Sequence, residues 1–589
     1  MSFITITVSV VLILMFISLI KEWYSPEVTV FLALSIFILS GVLPLNEAFE
    51  GFSNPAVHTI ALLMVIAYAA QKSGVVPKVL TKILGKNKRI SIVLMKIMLP
   101  VSFLSAFMNN TPIVAMLTPI IHKWGIQHKI SPSKLLIPLS YAAIIGGTVT
   151  LIGTSTNLLV HGLLQQVGHQ GFSMFQFTLI GIPLFVVTLL YMMLYGHKQL
   201  PNNKDLIEAY QSKSNEYTIE VKVTSESTWI GKTVKKVNLR ALHDIFLIQI
   251  IRNNNAITPA SSYEVIQAND VLIFSGNIDS IMNLNNIKGL KLTAPNEDLN
   301  SAYKRYDNNL VEVVISHSSP LVNKKIKDTN FRAQYNSVIV AARKKNQQIS
   351  SGIGNITIKP GDTLLLLTGK DFMKSWANSR HFYLVSDVNA SESSRPEKAK
   401  IIIPTLFGVI ILASLQILPI LKAALIGIIV LVVTKSITTS EVKRAIDWGI
   451  LILISSAIGI AKAVEEAGLP MLITNLLNFE KPVNLLILCF VFYFLTLILT
   501  EMISNIAAAA LMFPIVFSIA TQFGYNPELF AIIIAIAASC SFITPIGYQT
   551  NLLVFGPGGY KFTDFFKVGF PLSILCMLIT VFLAVFIWG

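Results

Sequence analysis

The sequence predicts a polytopic α-helical membrane protein with inverted repeats and two re-entrant hairpins, interrupted by an inserted α+β region of two like units. Three observations carry that fold class. Of 589 residues, 53% are hydrophobic and only 13% charged, far from the ordinary soluble balance. Apolar runs long enough to cross roughly 30 Å of hydrocarbon recur on both sides of a polar stretch. A set of polar motifs, embedded in apolar sequence, occurs once near each end.

Crossings are expected near 3–20, 28–44, 55–71, 135–164 and 174–196, then near 400–419, 421–435, 447–465, 527–556 and 564–588. The first apolar segment lacks a small-residue cleavage site after it, so it is read as a crossing and not a signal peptide. Between the third and fourth crossing of each half lies a hydrophobic stretch split by a polar tip. The tips are Asn109-Asn110-Thr111, within about 90–123, and Ser504-Asn505, within about 484–522. A polar tip suits a re-entrant hairpin, because non-helical backbone at that depth persists only inside protein or along a wet cavity. Repeat 1 is placed at 1–199 and repeat 2 at 398–589, with the two polar units at 206–290 and 305–386.

The copies align closely. SAFMNNTPIVAMLTPI (Ser105 to Ile120) and GGTVTLIGTSTNLLV (Gly146 to Val160) answer to TEMISNIAAAALMFPI (Thr500 to Ile515) and SCSFITPIGYQTNLLVFG (Ser539 to Gly556). Asn110 maps on Asn505 and Pro119 on Pro514 with a shift of 395; Gly153 on Gly547 and Asn157 on Asn551 need 394. Gly/Pro-interrupted hydrophobic segments at matching places in two halves point to a transporter with its site at the interruptions.

An odd number of crossings per half requires inverted halves, and charge orients them. Basic residues concentrate in Lys72–Arg89, His122–Lys129, Thr434–Arg444 and Tyr560–Lys567, and are sparser in Asn46–Gly51, Gln165–Gly171 and Glu465–Lys481. The first set is therefore cytoplasmic, with both termini outside. The net charge of +15 reads as this signal plus a basic insert, not as a nucleic-acid partner.

The polar middle is also duplicated. YTIEVKVTSESTWIGKTVKKVNLR (Tyr217 to Arg240) answers to NLVEVVISHSSPLVNKKIKDTNFR (Asn309 to Arg332), and Asp270 to Asp362, each opening a final apolar strand. A polar linker is expected near 290–308, and Ser386–Lys400 reads as a flexible return to the membrane.

The tips and breaks supply the chemistry. At a hairpin tip, backbone carbonyls and side-chain oxygens suit a hard cation such as Na⁺, while N–H groups opening the next helix favour an anion. Asn109, Asn110, Thr111, Ser504 and Asn505 offer amide and hydroxyl oxygens. Thr150, Gly153, Thr154, Ser155, Thr156 and Asn157 in the first break, and Thr544, Pro545, Gly547, Thr550 and Asn551 in the second, add hydroxyls and close backbone approach. Intramembrane charge is scarce. Glu501, whose counterpart is Ala106, is given a local structural or electrostatic role, and Lys96 and Lys462 are expected to snorkel. Cys489, Cys540 and Cys576 have no ligand spacing and read as buried filler. There is no Walker-type loop, and Gly352-Ile353-Gly354 does not open a helix after a strand. No nucleophile–base–orienter set is visible, so an enzyme and an organic cofactor are not expected.

The two tips and the two GxxTN breaks resemble the divalent anion/sodium symporter family of the ion-transporter superfamily. The middle units resemble TrkA-C (RCK C-lobe) domains in their strand pattern and GKT…LR signature, and two such insertions are similar to the sulfate-permease branch. The resemblance implies an elevator-type fold and homodimer in a bacterial inner membrane, with the TrkA-C domains cytoplasmic and open to a small ligand. It implies one Na⁺ site near Asn109, Asn110, Thr150, Gly153 and Asn157, and a second near Ser504, Asn505, Thr544, Gly547 and Asn551. The anion would meet Asn110, Thr111, Thr154, Ser155, Thr156, Ser504, Asn505, Thr550 and Asn551. Dicarboxylate members carry Ser-Asn-Thr at both tips; here they are Asn-Asn-Thr and Ser-Asn-Ile, and the loss of a hydroxyl at Ile506 favours a small oxyanion such as sulfate. A dicarboxylate or phosphate symporter, and a cation- or proton-coupled carrier gated by the TrkA-C domains, stay open.

Overall fold

The computed structural model describes residues 3–21, 23–85, 89–203, 396–469 and 484–589, and, between them, 218–234, 236–237, 245–253, 255–257, 263–276, 288–293, 309–316, 319–344, 347–349, 353–368, 372–376, 379 and 381–387. Parts of the loop Glu465–Lys481, the linker 290–308, the return 386–400 and Leu239-Arg240 of the first GKT…LR signature lie outside them, as does Gly352.

Helices occupy every predicted crossing: Phe3–Lys21, Pro26–Leu39, Pro55–Lys72 and Thr178–Tyr191, then Pro396–Ser414, Ile420–Val433, Trp448–Glu466 and Phe562–Trp588. Among the described residues, six helices are long and apolar enough to cross a membrane by length and composition. Two helix starts are encoded locally. Asn54 accepts from Ala56 N at 2.8 Å ahead of Pro55, and Asn526 accepts from Glu528 N at 3.0 Å ahead of Pro527. A first-turn proline forfeits an N–H that has no intrahelical acceptor anyway.

The remaining crossings are broken. The stretch 135–164 resolves into Leu136–Gly147 and Ser155–Gln166, and 527–556 into Pro527–Ser539 and Gln549–Phe555. Every residue of Leu136–Gly147 and eleven of Pro527–Ser539 are buried, so these half-helices form the centre of the helical body. Two hairpins flank them, Ile90–Ser105 with Asn110–Gln127 and Leu485–Met502 with Asn505–Gln522. Both arms of the second are 18 residues long and apolar enough to cross, so length alone does not make it re-entrant. Cys489, Cys540 and Cys576 are buried in the helical core.

Among its described residues, the middle region forms two five-stranded antiparallel sheets. The first holds β1 (Thr218–Val223), β2 (Ile245–Arg252), β3 (Asn255–Ile257), β4 (Val271–Gly276) and β5 (Leu290–Thr293) in the order β3-β2-β4-β1-β5. The second holds β6 (Asn309–Ile315), β7 (Ser337–Lys344), β8 (Gln347–Ile349), β9 (Thr363–Thr368) and β10 (Phe382–Asp387) in the matching order β8-β7-β9-β6-β10. Even the bulges correspond, at Leu247/Gln249 and Ile339/Ala341. The strands after Asp270 and Asp362 are not final as expected: β5 follows, inside the stretch read as linker, and β10 closes the second sheet. They pair antiparallel with β1 and β6 respectively. The buried Asp270 is held by Arg252, Nε to Oδ1 and Nη2 to Oδ2 both at 2.9 Å. That fork raises the guanidinium's affinity for its proton against a smaller opposing effect of burial.

Ion pairs tie the two helical halves. Lys462 Nζ lies 3.1 Å from Glu47 and 3.5 Å from Glu50, so this lysine is paired as well as solvated. Lys72 Nζ meets Glu441 Oε1 at 2.6 Å, and Glu441 also accepts from Thr438 N at 2.8 Å in a capping box. Burial pushes the Glu441 carboxyl up, but the bond from Lys72, those from Thr438 and the lysine charge outweigh it and hold the pKa at about 2. A depressed folded pKa stabilises above the unfolded value and is lost as pH falls through the folded one. Thermal stability is therefore expected to drop between about pH 4.5 and about pH 2 in the wild type, and Glu441→Gln to remove that part of the slope. Melting curves across that range, in detergent, check it.

Candidate functional site

Each hairpin tip folds against the break of its own half through the same bonds. In the first half, the single Ser105 hydroxyl proton is shared between Asn110 Oδ1, 2.5 Å away, and Ala143 O, 2.7 Å away. In the second, the single Thr500 hydroxyl proton points between Ala538 O at 2.6 Å and Asn505 Oδ1 at 3.2 Å. Thr150 Oγ1 donates to Ala106 O, as Thr544 Oγ1 does to Glu501 O at 3.3 Å. Asn157 Nδ2 reaches back to Thr150 O at 2.9 Å, and Asn551 Nδ2 to Thr544 O at 3.2 Å and Ser541 O at 2.9 Å. A hydroxyl before each tip and an amide after each break thus lock a non-helical turn to a non-helical segment. These bonds satisfy backbone groups that no helix serves.

Glycine permits the approach. At Gly153 an added Cβ would stand 2.5 Å from Gly147 O and 2.9 Å from Ser105 O, both backbone atoms. At Gly547 it would meet Glu501 Oε2 at 2.8 Å and crowd Ser541 Oγ.

The first tip also meets the second break. Asn110 Nδ2 donates to Tyr548 Oη at 2.6 Å, and Thr111 Oγ1 to Gln549 Oε1 at 3.1 Å. Ser140 Oγ, in the first broken crossing, contacts Thr550 Oγ1 at 2.9 Å and donates to Asn551 Oδ1 at 2.7 Å. The two halves therefore share one polar seam. Asn110, Asn157, Thr550 and Asn551 are all buried in it. Thr154, Ser155 and Thr156 open the helix Ser155–Gln166, with Thr154 and Thr156 buried. Asn109 and Ser504 are the residues that start the second arms, and Ser504 Oγ accepts from Ala507 N at 3.4 Å.

The copies differ in two ways. Asn551 Oδ1 has a donor in Ser140, whereas buried Asn157 Oδ1 has no partner among the described residues. The residue equivalent to Ser140 is Ala535, which cannot donate. Second, Glu501 turns its carboxylate into the second break, accepting from Ile543 N at 2.9 Å and Thr544 N at 2.8 Å. The equivalent Ala106 can do neither.

Sequence reasoning missed Ser105, Ser140, Tyr548 and Gln549. Ser105 was findable: it maps on Thr500 at the same shift of 395, one hydroxyl on another. Ser140 and Tyr548 break the repeat, so only packing identifies them.

The citrate transporter profile (CitMHS) matches residues 12–537. An uncharacterized transporter of Synechocystis is 34% identical over 99% of this chain and 97% of its own length. An uncharacterized transporter of Escherichia coli, YfbS, is 28% identical over 92% and 93% respectively. Sodium/sulfate cotransporter 1 of Chlamydomonas reinhardtii is 22% identical over 97% of this chain and 88% of its own.

Proposed function

The chain belongs to the citrate transporter family of the ion-transporter superfamily, and from that premise we propose that it is a secondary transporter coupling Na⁺ to the symport of a small divalent anion, sulfate first. The observation that carries the reading is the pair of oxygen-lined tip-and-break cradles, with the donorless Asn157 Oδ1 buried in the first. A buried amide oxygen without a donor is costly, and a hard cation relieves that cost. Na⁺ at Asn109, Asn110, Thr150, Gly153 and Asn157 fits this orphan. A second ion belongs near Ser504, Asn505, Thr544, Gly547 and Asn551.

The anion sits in the seam between the cradles, on Asn110, Thr111, Thr154, Ser155, Thr156, Ser504, Asn505, Thr550 and Asn551. Most of its hydroxyls come from the first half, because Ile506 replaces one and Glu501 already takes two break amides. A lopsided seat suits one compact oxyanion better than two carboxylates held apart. The sodium/sulfate relative supports the same choice. Without Na⁺ the anion meets carbonyl oxygens and a carboxylate, so binding is coupled.

The reading includes an elevator motion of the hairpins and broken helices, a homodimer in a bacterial inner membrane, and cytoplasmic TrkA-C-like units over about 206–290 and 305–386, open to a small cytosolic ligand. Proteoliposome uptake of labelled sulfate, citrate, succinate and phosphate, with and without a Na⁺ gradient, tests it. Sulfate uptake is expected to require Na⁺, and Asn110→Ala or Asn505→Ala to lower it on the order of tenfold or more. Preferred uptake of citrate or succinate would replace sulfate; Na⁺-independent or proton-driven uptake would overturn the coupling.

A further inference from the structure

The second β unit differs from the first at one cross-strand pair that touches the helical body. Ile251 opposite Val271 in the first sheet corresponds, at a shift of 92, to Arg343 opposite Thr363 in the second. Arg343 Nη1 donates to Gly556 O at 3.1 Å, in a buried position. Thr363 packs so closely on Gly556 that a Cβ there would collide with its hydroxyl. Gly361, at φ +80°, lets the turn before β9 come against Leu552: a Cβ would stand 2.6 Å from Leu552 Cδ1. The first unit's Ile251 and Val271 have no polar group with which to make such a joint.

Gly556 ends the short helix Gln549–Phe555, which begins at Gln549, Thr550 and Asn551 of the seam. A helix of that length spans about 10 Å and moves as a rod, so a displacement at Gly556 is felt at Asn551. The chain just beyond is held by the first half. Asn203 Nδ2 donates to Gly558 O at 3.0 Å and Gly559 O at 2.6 Å. Tyr560 Oη donates to Ser133 O at 2.6 Å and accepts from Ile137 N at 3.1 Å, at the start of the first broken crossing. Segments from both halves and the second β unit therefore meet within Gly556–Tyr560, next to both broken helices.

We infer that Arg343 is a positioning residue for transport: through Gly556 it fixes the end of the helix that carries Thr550 and Asn551, and so the second β unit sets anion affinity. This rests on the anion-symport reading. The test uses the full chain in proteoliposomes, with labelled sulfate at saturating Na⁺. Arg343→Ala is expected to raise the sulfate KM by about 2- to 30-fold, the range for residues that act through a coupled network, with a smaller change in maximal rate. Arg343→Lys, which keeps a donor, restores part of it. If Arg343→Ala accumulates poorly, Arg343→Met, which keeps the stem, takes its place. An unchanged KM, or a raised KM that Arg343→Lys does not partly restore, overturns the inference. Absence of Na⁺-driven sulfate uptake in the wild type would instead overturn the functional reading.

Discussion

Gly153→Ala is expected to abolish Na⁺-driven uptake while leaving the protein in the membrane. The new methyl would face Gly147 O and Ser105 O, at 2.5 and 2.9 Å. Neither neighbour is a side-chain end that can rotate away, so the break must shift from the tip. Overpacking of this kind costs about 1–3 kcal/mol, and here the strain falls on the bonds that shape the first cradle. Asn157 hangs from Thr150 and Thr150 from Ala106, so moving the break dismantles the cage at once. Gly547→Ala should be milder, because its nearest neighbour, Ser541 Oγ, is a side-chain atom that can turn away. Glu501 Oε2, held by Thr544 N, and Glu501 Cα at 3.1 Å resist it less closely than the two carbonyls resist Gly153→Ala. Uptake of both variants beside their Na⁺ dependence decides the matter. Wild-type uptake by Gly153→Ala would mean that the tip does not have to touch the break.

Glu501→Gln should be the second severe variant, and its signature should be loss of stability before loss of Na⁺ affinity. The carboxylate gives one oxygen to Ile543 N and the other to Thr544 N. Glutamine keeps one acceptor and turns an NH₂ donor toward the other N–H. An orphaned donor in such a place costs about 1–3 kcal/mol. Glu501→Ala orphans both, and Glu501→Asp is too short to span them. Thermal melting in detergent, followed by Na⁺ titration of uptake, separates two roles. If Glu501→Gln melts like the wild type but needs much more Na⁺, the carboxylate serves the cation by charge instead of holding the break.

Much of this was legible in the residues. The doubled Asn110/Asn505 and Asn157/Asn551 spacing marked the tips and breaks, because an elevated density of polar groups inside apolar runs has few structural uses in a membrane. The alternation around Tyr217–Arg240 and Asn309–Arg332 marked two like sheets. β5 escaped notice because Leu290-Lys291-Leu292-Thr293 carries too few residues for a period and is ordered by its partner β1. Glu501 was visible as a lone charge, but not its use: the amides it satisfies lie 42 and 43 residues away.

Local chemistry therefore determined where helices start, where they break and that the plan is doubled, since caps, prolines and periodicity act over a few residues. Which half lends its side chains to the other was decided only in three dimensions. Ser140 on Asn551, Asn110 on Tyr548 and Arg343 on Gly556 join positions 411, 438 and 213 residues apart. No spacing rule relates such pairs. They exist because buried polar groups must find partners wherever the packed helices bring them.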